Sequence, residues 1–121
     1  MKGLKTTLLV FVFCTGLIQA QDYQVSNLTE LENALNSAGS GQVIGITGGT
    51  IELGNALQIP GGVTLEGGYN SDFSSRSVVA NETIIDGKGA TDLFVADATT
   101  DWVLDGLTLT GGFANYAPDN I

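Results

Sequence analysis

The chain has 121 residues, 4 Lys+Arg against 13 Asp+Glu, no histidine, one cysteine and 17 glycines. Length leaves room for one small domain. Without histidine there is no Ser-His-Asp or Cys-His nucleophile system and no His-ligated zinc, and one cysteine makes no internal disulfide. A net charge of −9 repels phosphate backbones and anionic lipid heads, so nucleic acid is excluded as a partner.

The first twenty residues read as a secretory signal. Lys2 and Lys5 make a basic start, Leu8 to Ile18 is mostly apolar, and Ala20 supplies the small residue a signal peptidase needs. The apolar run is too short to span a bilayer, which takes ~20 residues. A buried N-terminal strand or helix is the alternative. A lipoprotein signal at Cys14 is disfavoured by Phe13, where lipid attachment wants a small residue. Cleavage after Ala20 leaves Arg76 and Lys88 against all 13 acids, a net −11, and removes the cysteine. The expected product is exported, secreted or displayed on the cell surface, with no transmembrane segment after cleavage. It carries no disulfide and depends on packing, hydrogen bonds or bound cations.

Residues 21–41 read as an N-terminal cap. Leu28, Leu31, Ala34, Leu35 and Ala38 fall on one helical face. Asn27 followed by Glu30 reads as a capping box, and Gly39 and Gly41 as the stop. With one apolar stripe, this helix of about three turns must lie against something else.

From 42 to 121 short apolar runs are punctuated by glycine, which is the signature of strands. Val63-Thr64-Leu65-Glu66-Gly67, Thr83-Ile84-Ile85-Asp86-Gly87 and Trp102-Val103-Leu104-Asp105-Gly106 share an apolar-acid-glycine ending. Leu65 to Ile85 is 20 residues and Ile85 to Leu104 is 19. A recurring step of this size predicts a solenoid, one coil per repeat. An antiparallel sandwich, with turn signals every ~8–12 residues, is the alternative. Strand alternation then places Val63 and Leu65 inward and Thr64 and Glu66 outward. The helix would cover the exposed apolar end of the first coil.

The order of cap helix, Thr50-Ile51-Glu52-Leu53, Val63-Thr64-Leu65-Glu66-Gly67-Gly68-Tyr69, Thr83-Ile84-Ile85-Asp86-Gly87 and Val103-Leu104-Asp105-Gly106-Leu107-Thr108-Leu109-Thr110-Gly111-Gly112 resembles a known pattern. It is similar to the N-terminal end of right-handed parallel β-helix proteins of the pectin-lyase-like superfamily. Within it, the likeness is to exported bacterial surface proteins with coils resembling polymorphic outer-membrane protein repeats. The resemblance covers residues 23–116, with Gly67-Gly68-Tyr69 through Phe73 and Arg76 its most specific part. It implies an all-β fold, the first coils of a parallel β-helix behind an amphipathic cap helix. Family members run for many more coils. This chain ends at Asn120-Ile121, just after a Gly-Gly strand end, so the expectation is the start of a longer protein.

Among candidate sites, Glu66, Asp86 and Asp105 stand first. Stacked in register, their carboxylates would lie ~4.8 Å apart. Such like charges repel by about 0.8 kcal/mol per pair even in water. A hard cation offsets this, and calcium, with its oxygen ligands, is the one that fits. The alternative is three strand-end acids on different faces, solvated separately. Family lyases use an outward groove with acids, calcium and a basic residue. Here only Arg76 and Lys88 remain for that role, and no family catalytic motif falls on this sequence, so no catalytic residue is assigned. Trp102, Tyr69 and Tyr116 could stack on sugar rings or pack in the coil. The expected function is a structural or binding module that engages polysaccharide or a surface protein. The second expectation is the non-catalytic start of a polysaccharide lyase or glycoside hydrolase acting on acidic polysaccharide.

Overall fold

The computed structural model describes residues 21–96 and 101–112. The signal segment, Tyr116 and the chain end lie outside the described residues. A short strand, β1 (Tyr23–Val25), leads into α1 (Leu28–Ser37), the one helix among the described residues. The capping box forms. The Asn27 side chain accepts from the Glu30 backbone N–H at 2.9 Å. Glu30 reaches back to the N–H of Ser26, one residue before the cap, at 2.8 Å. The predicted stripe faces inward, with Leu31, Ala34, Leu35 and Ala38 all in the core. No described helix is long and apolar enough to cross a membrane.

Eight further strands follow: β2 (Val43–Thr47), β3 (Gly49–Glu52), β4 (Leu57–Ile59), β5 (Thr64–Tyr69), β6 (Thr83–Thr91), β7 (Phe94–Ala96), β8 (Val103–Asp105) and β9 (Leu107–Gly112). They form three sheets, ordered β1-β2-β5-β8, β3-β6-β9 and β4-β7. Every pairing between these strands is parallel. The fold is all-β apart from α1, and from β2 onward the chain visits the first, second and third sheets in the same order on each pass. A parallel pair needs a crossover connection. Here α1 supplies it between β1 and β2, and strands of the other sheets supply it afterwards.

Register places like on like inside. Ile44, Leu65 and Leu104 are successive partners in the first sheet. Ile51, Ile85 and Leu109 are partners in the second, and Leu57 and Phe94 in the third. Apart from the exposed Leu109, these rows meet in one apolar cluster, and α1 closes the end nearest β1, β2 and β4. Burial fades along the stack. Ile44 and Leu65 are fully buried, whereas Leu109 is 44% exposed.

The 20-residue step does not describe this stack. Ile44 and Leu65 are register partners 21 positions apart, but the next partner of Leu65 is Leu104, 39 positions on. Ile85, expected between them, lies in the second sheet. Most of the excess length sits in residues 70–82, an insertion between β5 and β6. The acid-glycine ending marks where the chain leaves a strand, in whichever sheet that strand lies.

Leu65→Ala should therefore cost about 2–5 kcal/mol, the range for a fully buried leucine. Leu104→Ala, its half-buried partner, should cost less than half as much. Urea denaturation of both variants measures the difference.

Candidate functional site

The outer face of the first sheet carries the row Gln24, Gly45, Glu66 and Asp105, each in register with the next. Alternation turns this row away from the core, as expected for Glu66. Yet Glu66 is only 4% exposed, which corrects the expectation of a solvated carboxylate. The cover begins with Tyr69, just before the insertion. Tyr69 ends β5 and is fully buried, and its ring lies on Gly45. A Cβ at Gly45 would sit 3.0 and 3.2 Å from two Tyr69 ring carbons and 2.7 Å from Cγ of Gln21. The absent side chain is what admits the ring.

From there the Tyr69 hydroxyl donates to Glu66 Oε1 at 2.7 Å. Arg76 closes the other side. Its Nε donates to the Gly67 carbonyl at 2.7 Å, and its Nη2 pairs with Asp105 Oδ1 at 3.0 Å. The guanidinium carbon lies 5.8 Å from the Tyr69 ring centroid, within cation–π reach, and the Phe73 ring is 5.7 Å from the same centroid.

Local chemistry returns the chain to that point. Asp72 Oδ1 accepts from the Ser74 hydroxyl at 2.6 Å and from its backbone N–H at 3.0 Å, an Asx turn. Those bonds hold the Asp72 carboxyl below the usual range. Asn70 spans the loop to Ser74 and Ser75, and Tyr69 and Arg76 then meet as an isolated antiparallel bridge.

Asp86 stands elsewhere. It belongs to β6 in the second sheet, in register with Glu52 and Thr110, and its Oδ1 accepts from the Lys88 backbone N–H at 2.8 Å. Lys88 Nζ lies 3.2 Å from Glu52. Glu66, Asp86 and Asp105 thus do not form one ladder, and no group of three or more potential metal-ligating side chains gathers among the described residues. The first sheet brings together Glu66 and Asp105 alone. One of them is engaged by a tyrosine hydroxyl and the other by an arginine. Calcium takes about six to eight oxygens, and this pair does not fit it.

Both candidate basic groups sit in ion pairs, Arg76 of the insertion with Asp105 of β8 and Lys88 of β6 with Glu52 of β3. Of the aromatic candidates, Tyr69 is buried and Trp102 is 39% exposed. Sequence reasoning missed the Gly45–Tyr69–Glu66–Arg76 unit. Its available signal was a glycine inside the apolar run Val43-Ile44-Gly45-Ile46, a mark of close approach. Protein-family models, curated proteins and solved structures give no match to this chain.

Tyr69→Phe leaves a buried carboxylate without its hydroxyl and should cost about 1–3 kcal/mol. Burial, then the Glu66 hydrogen bond and charge, raise the Tyr69 pKa above 10.0. The folded state therefore keeps its proton where the unfolded chain loses it. Stability should be intact below pH ~10 and fall as pH rises through the folded pKa. In Tyr69→Phe that alkaline fall should shrink, as read by thermal melts from pH 8 to 11. Gly45→Ala should displace the ring and destabilise the fold. Gly54→Ala, where an added Cβ meets nothing within 4 Å, should stay within about 0.5 kcal/mol.

Proposed function

We propose that this chain is an exported structural and binding module, secreted or held at the cell surface, built as the N-terminal coils of a right-handed parallel β-helix. The observation that carries the reading is the constant visiting order of three parallel sheets, with like side chains stacked in register behind a capping helix. Right-handedness follows from the strong bias of parallel crossovers to that hand. Repeating passes bury one continuous core and leave their outer faces and inter-strand loops as binding surface. The basic start, apolar run and small residue at Ala20 support export.

Polysaccharide or a surface protein is the partner class. The ion pairs of Arg76 and Lys88 favour a binding role over a lyase one, since both described basic side chains are already engaged by acids. In bacterial expression with its own leader, the chain should appear in the extracellular or outer-membrane fraction with Gln21 as its first residue. Recovery from the cytosol with residues 1–20 still attached would overturn the exported reading.

A further inference from the structure

A cleft of about 580 Å³ opens where the first sheet turns into the second. That volume is within the usual range for a small-molecule site, ~300–1,000 Å³. It is lined by Thr47 at the end of β2, Gly49 at the start of β3, Ser26 before α1, and Asn70, Ser71 and Asn81 from the two ends of the insertion. We propose that this cleft binds a neutral saccharide. The inference rests on the binding-module reading and gives it a site and a ligand class.

Three observations favour that ligand. No charged side chain lines the cleft. The chain as a whole is strongly acidic, which disfavours uronate, sulfate and phosphate groups. The lining also offers both donors and acceptors. Among the described residues the hydroxyls of Ser26, Thr47 and Ser71 make no hydrogen bond within the protein. Asn81 uses its Nδ2 on the Gly68 carbonyl at 3.2 Å, which leaves its Oδ1 to accept. Hydroxyl and amide groups of this kind match adjacent sugar hydroxyls, each of which donates and accepts.

The cleft is also held in shape before any ligand arrives. The Gly48 N–H bonds the Tyr69 carbonyl at 3.0 Å, the Gly49 N–H bonds the Glu82 carbonyl at 2.8 Å, and the Ser77 N–H bonds the Gly68 carbonyl at 2.8 Å. Gly49, at φ 128°, has no neighbour within 4 Å of its missing Cβ, so a ligand can approach bare backbone there. Pre-formed polar groups spare the ordering cost of binding.

The test is an NMR titration of the isotope-labelled full chain with maltohexaose, cellohexaose and trigalacturonate. At least one neutral oligosaccharide should shift amide signals concentrated at Ser26, Thr47, Gly49, Ser71 and Asn81, while trigalacturonate leaves them unmoved. Ser71→Trp, a substitution at an exposed position that fills the opening, should weaken the neutral sugar at least tenfold with the melting temperature unchanged. Ser26→Trp provides the same test from another part of the lining. Preference for trigalacturonate would overturn the ligand class. Shifts confined to the outer sheet faces would overturn the cleft while leaving a saccharide-binding module standing. No shift with any of the three would overturn this proposal, and the mature N-terminus would still decide export separately.

Discussion

The structure depends on stacking identical positions of successive passes directly over one another. Parallel strands ~4.8 Å apart put register partners in van der Waals contact. An apolar row such as Ile44–Leu65–Leu104 is therefore shielded only if the register holds from pass to pass. Slip by one residue would turn Leu65 outward and Glu66 into the core. A single pass buries little by itself, since its inner face needs a neighbour on each side. At one end that neighbour is α1, whose Leu31, Ala34 and Leu35 complete the cluster.

The outer face of the first sheet answers a second constraint. In-register stacking sets Glu66 beside Asp105, like charge against like. Each acid is engaged differently: Glu66 by the Tyr69 hydroxyl beneath the insertion, Asp105 by Arg76. Tyr69 ends β5, Arg76 belongs to the insertion, and the two meet in an antiparallel bridge, so the partners of both acids are held together. Removing the Tyr69 hydroxyl would leave the buried Glu66 carboxylate without its partner, and removing Arg76 would leave the insertion without its bonds to Gly67 and Asp105. The two ends of the insertion also line the corner cleft.

Much of the fold was legible in sequence because it rests on local signals. Asn27 and Glu30 mark the helix start whatever follows, and the glycine-bounded apolar runs mark strands. The spacing between passes was not legible. Glu66-Gly67, Asp86-Gly87 and Asp105-Gly106 look alike because each follows a strand's apolar run, yet the middle one leaves a different sheet. Thirteen inserted residues between Tyr69 and Thr83 stretch the second pass and happen to bring Ile85 near the midpoint of Leu65 and Leu104 in sequence. Burial of Glu66 was hidden for a related reason. It depends on where a loop returns, which follows from the Asp72–Ser74 turn and from the room left by Gly45, not from the strand's own alternation.

The in-register parallel stack is tested most directly by backbone NMR contacts in the full chain. The account predicts inter-strand amide-to-Hα contacts between the neighbourhoods of Ile44 and Leu65, and again between those of Leu65 and Leu104, with Ile85 contacting the segments around Ile51 and Leu109. Close Hα-to-Hα contacts between strands adjacent in sequence, as an antiparallel meander gives, would contradict it.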